Sequence, residues 1–507
     1  MGTERTLRAV SQGRLLLGIS MCCIAFPSSA GDWKIHPMLA INETATDNVG
    51  LSNTQKKSDL VTDVNPGIRI EGSGGRTKLF FDYQLHNIFY AQNSAGEKTQ
   101  NALNALGTLE ALENWLFVDV SGAISQQSTS PFSGATSGAV NTSTNSNTTE
   151  TSTYRISPYV RGVLGSFADY QVRYNLTTNS TKSTQAFDYD SNELVANLKG
   201  VTTLTNLGWS LEASKQSTKF DSGRSNEAER VRGVLSYQFD PQIRVHVIGG
   251  REANDYVTAT KESTTIKGAG FEWSPTERTQ ISASREDRFF GKSNSISFSH
   301  RTALTAWKFS ESKDASVLVS QRPTGSLGNF YDLAYSICSG TPEERAACAA
   351  QSLHGLSPTA QLQGGFLTTR VTLQHRRDVS FMLLGARNTV TFAGTQVESQ
   401  NLSQMAGTGS FVGNDIFSLQ DIRQRGASVF WSHHLSPVSF LVGGFSRLNT
   451  IGTGTSTLET SQKTINVNLL TQLGPKTVAG IGVRRVDVSG TTSYSENALT
   501  GVLSHQF

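Results

Sequence analysis

Beyond its first thirty residues this chain lacks any long apolar run. No later segment approaches the roughly 20 continuous apolar residues a membrane helix needs, which excludes helical insertion of the mature chain. Cysteine is scarce: Cys22 and Cys23 lie in the N-terminal segment, which leaves only Cys338 and Cys348. The pair has no CxxC spacing and only His354 lies nearby, so a metal site is not assigned and a disulfide closing a short loop is expected. Prolines number only 12 against 46 glycines. Charge of one sign is not in excess either. The formal balance of +3 falls to +1 once Glu4, Arg5, Arg8 and Arg14 are set aside, which gives no bulk charge to attract nucleic acid. Catalytic signatures are also missing: there is no HExxH, Walker loop, dinucleotide fingerprint, CxxC or GxSxG. No catalytic residue, cofactor or metal is assigned, and an enzyme is not expected.

What is present begins with an address. Arg5, Arg8 and Arg14 lead into the apolar run LLLGISMCCIAF, which ends in Pro27-Ser28-Ser29-Ala30. That order is a secretory signal peptide over residues 1–30, cleaved after Ala30. Met21 before Cys22 makes a poor lipoprotein site, so lipidation is not expected.

The mature chain, 31–507, reads as strands. Trp33, Ile35, Pro37, Leu39 and Ile41 alternate with polar or small residues, and Leu79, Phe81, Tyr83 and Leu85 do the same further on. Turn-forming residues recur on one side at 113–114, 164–166, 240–242, 274–277, 435–437 and 473–476, and long connections recur on the other at 127–150, 322–365 and 394–421. Short turns alternating with long loops point to an all-β, antiparallel, up-and-down transmembrane barrel of about 22 strands, within a range of 18 to 24. Strands are expected at 366–376 and 378–393 among others. About 22 residues per strand with its connection uses the whole chain, so one barrel domain and no N-terminal plug is the expectation. The connection 127–150 has almost no apolar residue to bury and is expected to be mobile. In 322–365, Thr341-Pro342-Glu343-Glu344 reads as a capped short helix tied back by Cys338 and Cys348.

The final segment, YSENALTGVLSHQF, places Leu499, Gly501, Leu503, His505 and Phe507 on one face. A strand ending the chain in a bare Phe resembles the C-terminal strand of bacterial outer-membrane barrels, although the third position from the end, usually aromatic, is His505. It implies barrel closure on the first strand, recognition by the barrel-assembly machinery and outer-membrane lipid as the surrounding partner. Where one face is apolar, the other carries Arg155, Arg161, Arg173, Arg230, Arg232, Arg244 and His246. These are expected on the lumen wall, because charge is costly on a lipid face. Such a stripe either guides anions or is the ordinary polar face of a barrel with acids such as Asp169 and Glu252 nearby.

The stretches IRVHVIGGREANDY and KGAGFEWSPTERTQISASREDRFFGKSNSISFSHR resemble the outer-membrane barrel family associated with exosortase and PEP-CTERM protein-sorting systems. Gly249-Gly250-Arg251-Glu252 and Phe289-Phe290-Gly291 are its most specific pieces, supported by Asp47-Asn48-Val49 and Asn65-Pro66-Gly67. The resemblance implies the outer membrane of a Gram-negative bacterium, linkage to exopolysaccharide and export proteins, and no assigned activity. Three functions follow in descending order: a porin-like conduit, a surface scaffold binding matrix polysaccharide or proteins through its loops, and a barrel hydrolase using His86, His246 or His300.

Overall fold

A strand buried in lipid must pair both of its edges, and only a closed sheet leaves none unpaired. The chain meets that condition with 22 antiparallel strands in a single closed sheet. The structure, a computed structural model, describes residues 31–134, 140–182, 188–201, 206–221, 225–258, 260–317, 320–321, 366–368, 370–402, 420–454 and 457–507.

The first third of the wall comprises β1 (Asp32–Thr46), β2 (Asp59–Ser73), β3 (Thr77–Tyr90), β4 (Lys98–Leu112), β5 (Leu116–Ser128), β6 (Thr148–Leu164) and β7 (Ala168–Thr181). It continues through β8 (Tyr189–Val201), β9 (Leu207–Phe220), β10 (Ser225–Gln238), β11 (Ile243–Asn254), β12 (Glu262–Thr276), β13 (Thr279–Arg288), β14 (Gly291–Arg301) and β15 (Thr305–Ser316). A two-stranded pair, β16 (Ser320–Gln321) and β17 (Phe366–Leu367), stands apart from the wall. The wall resumes with β18 (Thr372–Leu384), β19 (Asn388–Asn401), β20 (Gln420–Ser436), β21 (Ser439–Gly454), β22 (Leu458–Gly474), β23 (Thr477–Gly490) and β24 (Tyr494–Gln506).

Closure runs through β1 and β24, in register from Met38 opposite Gln506 to Thr46 opposite Ala498. The Phe507 amide donates to the Pro37 carbonyl at 2.9 Å, which carries the ladder to the last residue. Leu499, Leu503 and Phe507 all face outward and are about half exposed, and the His505 ring sits edge-on to Phe507 with Nδ1 2.8 Å from Thr477 Oγ1.

The outer face carries the apolar half of each alternation, for example Ile156, Leu235, Val247, Ile465 and Val483. All six tryptophans, Trp33, Trp115, Trp209, Trp273, Trp307 and Trp431, lie toward the end of the barrel that bears the short turns. Amphipathic rings settle at a membrane interface, and short turns mark the periplasmic end. The protein is therefore an outer-membrane β-barrel with its long connections outside.

One pair of strands differs from the sequence expectation. The break expected near residue 377 is absent, and β18 and β19 instead meet at a turn after Leu384, where the Gly385 amide donates to the Asn388 carbonyl at 2.7 Å. Arg376-Arg377-Asp378 looks like a polar interruption but continues the strand, because Arg377 faces outward onto Glu311 while Arg376 and Asp378 share the inner face. The expected signal peptide at 1–30, the segment 322–365 with its expected helix, and the expected Cys338–Cys348 pairing lie outside the described residues.

Candidate functional site: a lumen roofed by its own loops

Two-residue alternation gives the barrel a polar inner wall, and its charges are matched across strands. Arg173 meets Asp119 at 2.7 Å, Arg232 meets Glu286 at 2.6 Å and Arg244 meets Glu272 at 3.2 Å. Arg230 is bonded to Glu212. Arg155 donates from Nε to Thr177 Oγ1 at 3.1 Å, and Arg161 lies over the Phe117 ring at 4.3 Å. Phe117 stacks on Tyr159, whose ring faces Arg173 at 4.0 Å, so the periplasmic end of the lumen carries a layered aromatic and guanidinium patch. His246 shares the inner face with Arg244 and lies opposite Gly270, whose lack of a side chain makes room for its ring. The seven basic residues thus sit on the lumen wall, but four of the six arginines have a carboxylate partner there. The partners are Asp119, Glu212, Glu272 and Glu286, while Glu252 belongs to Arg288.

Of the three histidines considered for hydrolysis, His86 is buried inward with Nδ1 3.1 Å from Asp63 Oδ2, His246 faces inward, and His300 faces outward against Thr279.

The motif pieces occupy structural positions. Asn48 is fully buried in the β1–β2 connection. Its side chain donates to the carbonyls of Ser52 at 2.7 Å and Ser495 at 2.9 Å, while Asp47 receives the Asn497 amide at 2.8 Å. These bonds fasten the outer end of the β1–β24 seam. Glu252 accepts from Arg288 at 2.7 and 2.9 Å and from the Phe289 amide at 2.8 Å, which joins the two most specific motif pieces. Gly291 closes this hairpin at φ 93°, a conformation glycine adopts without strain.

The outer mouth is where the structure departs most from expectation. The β5–β6 connection, read as mobile, folds inward at 129–134 and 140–147. Asn147 organises its base: its side chain donates to the carbonyls of Ser130 at 2.9 Å, Ser133 at 3.2 Å and Gly134 at 3.2 Å, and accepts from the Ser130 amide at 2.9 Å. Gln100 on β4 exchanges two bonds with the Asn141 backbone, at 2.8 and 3.0 Å. Tyr90 and Lys98 donate to the carbonyls of Thr142 and Ser143, and the Thr144 amide donates to the Val49 carbonyl. Val140 packs against the Val49, Val61, Ile88 and Tyr90 cluster, and polar side chains supply the rest of the fastening of this Ser/Thr/Asn-rich loop.

One apolar residue in this loop carries it across the lumen. Phe132, 3% exposed, packs with Phe366, Ile422 of β20 and Leu458 of β22, and its carbonyl accepts from Thr460 Oγ1 at 3.4 Å. From β5 through the closing seam, β22 is seven strands away and β20 nine. The loop therefore spans the mouth as a chord. Next to Phe366, Leu367 packs on Tyr189 of β8 and Phe220 of β9. Two external connections meet within the mouth, tied to opposite walls by two neighbouring apolar clusters. Beneath Val140 and Thr142, a recess of about 380 Å³ opens between the inner faces of β1, β2 and β22–β24, lined by Asn42, Asp63, Asn468 and Arg484.

No family model and no curated protein matches this chain. Its structural likeness is to large transport barrels. The FrpB iron transporter of Neisseria meningitidis (F5-1 variant), in its apoprotein form, superposes with a TM-score of 0.52 at 8% identity, covering 93% of this chain and 81% of that one. A second structure of that variant gives 0.50 at 9% identity, covering 93% and 82%. The siderophore receptor PirA of Acinetobacter baumannii gives 0.49 at 7% identity, covering 94% and 80%. At these identities the likeness establishes the barrel architecture.

The sequence pattern pointed to the arginines and missed the roof. Its local signals were Phe132, a single Phe within QSTSPFSGATSG, and Val140 in an otherwise polar and small-residue connection.

Proposed function

We propose that the protein is a gated outer-membrane conduit for polar solutes, linked to exopolysaccharide traffic and PEP-CTERM sorting, and that the roof is its closed gate. The observation carrying this reading is the cluster of Phe132, Phe366 and Ile422, which joins two external connections inside the mouth of a barrel with a polar wall. A knot of a few apolar side chains is an economical latch, since a conformational shift of the loops releases it without disturbing the β-ladder. The matched ion pairs of the wall favour a lumen that passes polar, weakly charged material over one selecting anions. The resemblance to the PEP-CTERM-associated barrels supports exopolysaccharide or its export proteins as the traffic, with the barrel-assembly machinery as the partner that inserts the chain. The architecture shared with the FrpB iron transporter supports conduction through this class of wall.

The same roof also favours a second reading, a surface scaffold whose loops bind matrix polysaccharide above a permanently closed barrel. Flux into proteoliposomes separates the two. Neutral oligosaccharides of increasing size should enter faster through Phe132→Ala/Phe366→Ala than through the unaltered protein. A folded double variant that stays impermeable would overturn the conduit and leave the scaffold.

A further inference from the structure

We infer that the outer wall of β20–β23 binds the phosphate groups of the glycolipid in the outer leaflet. On this face Arg423, Arg425, Arg447, Lys463 and Arg485 project outward from four consecutive strands, near their external ends. Four acids share this wall, of which Asp421 and Glu459 stand nearer the strand tips. Glu398 is bonded to Arg423 at 3.0 Å, and Asp487 is held by Arg485 at 2.8 Å. Arg425 and Arg447 are instead oriented by neutral amide oxygens, Gln396 Oε1 at 3.1 Å and Asn449 Oδ1 at 3.2 Å, which fix the guanidinium planes without neutralising them.

Arg447 also stands directly opposite Lys463 in the β21–β22 register, while Asp487 faces Lys463 from β23 and offsets part of that opposition. Like charges directly opposed across a ladder destabilise it, and an anion between them removes that penalty. Elsewhere on the outer rim Lys215 meets Glu229, and Lys261 meets both Glu227 and Glu229.

Height identifies the ligand. Phe445, Ile465 and Val483 lie two residues nearer the periplasm than Arg447, Lys463 and Arg485, on the same outward face, and are about half exposed. Two residues of strand are about 7 Å, so the cations stand one step above the lipid-facing belt, at the level of headgroups. A glycolipid bearing phosphates on its sugar core presents fixed anions at that height, and planar guanidiniums bind phosphate in two-pronged fashion.

The test uses the mature protein refolded in neutral detergent, with bisphosphorylated lipid A, its dephosphorylated form and phosphatidylglycerol as separate probes, and bound copies counted by native mass spectrometry. Lipid A should be retained, weakened at least tenfold in Arg425→Gln/Arg447→Gln/Lys463→Gln, and unaffected in Lys215→Gln/Lys261→Gln. Raising salt should release it from the unaltered protein, a readout that needs no variant. Equal retention of the dephosphorylated lipid would overturn the phosphate site. Equal retention of phosphatidylglycerol would overturn its assignment to the glycolipid.

Discussion

Replacing Phe132 by alanine removes the side chain that holds the β5–β6 loop across the mouth. A buried Phe truncated to Ala costs about 3–5 kcal/mol in a rigid core, and a loop able to relax into the gap lies at the lower end of that range. The other fastenings, among them the two Gln100–Asn141 bonds, contribute about 0.5–1.5 kcal/mol each and remain in the variant. A loss of about 3 kcal/mol from the closed state alone changes the open-to-closed ratio about 100-fold, since every 1.4 kcal/mol is a factor of ten. Single-channel recording in a planar bilayer reads that ratio as the fraction of time spent conducting. Phe445→Ala, on the lipid-facing side, is the control and should leave the open fraction unchanged. Because Phe132 and Phe366 belong to one buried cluster, adding Phe366→Ala should raise the open fraction by less than the product of the single effects. An unchanged open fraction in folded Phe132→Ala, with the loop newly open to protease, would refute the latch, because the loop would have left the mouth without opening a path.

Three further outcomes follow from the same contacts. Asn147→Ala removes the hub of the loop base and should expose the 129–147 connection to limited proteolysis, at a local cost of about 1–3 kcal/mol, while the heat-modifiable barrel band persists. Arg230→Ala with Arg232→Ala, made in the Phe132→Ala background, frees Glu212 and Glu286 and should move ion selectivity toward cations; an unmoved reversal potential would mean that the permeant path avoids this wall. Arg288 and Glu252 are only 9% and 4% exposed, so Arg288→Met should destabilise the rim by about 3–5 kcal/mol in denaturant unfolding, and adding Glu252→Gln should recover most of the loss. A double variant as unstable as the single one would show that the packing of the Arg288 stem, and not its charge, matters.

The barrel was legible because its signal is local and repeated. Every strand writes its two faces into alternate residues, so Arg155, Arg230 and Arg244 could be set on a polar face from their immediate neighbours. The turn between β18 and β19 was misplaced, because the true turn after Leu384 is short and the charged run at 376–378 keeps the strand alternation. At the outer end of a strand, above the lipid, charged residues keep the alternation, as Arg377 does against Glu311. The partners of the arginines were not legible: Glu286 is 54 residues from Arg232 and lies three strands round the wall. The roof was least legible, since its tie from Phe132 to Thr460 crosses 328 residues of sequence. Composition correctly describes this loop as unable to form a core of its own, but it cannot reveal that Gln100, Tyr90, Lys98 and Ile422 supply what the loop lacks.

The most direct test of the roofed conduit is single-channel conductance of the unaltered mature protein, compared with a protein in which residues 130–146 are replaced by a short Gly-Ser link. The gated reading predicts a mostly silent parent with rare brief openings and large, long-lived steps once the loop is gone. Large steady steps in the parent would contradict the roof, and silence from a correctly folded roofless barrel would contradict the conduit.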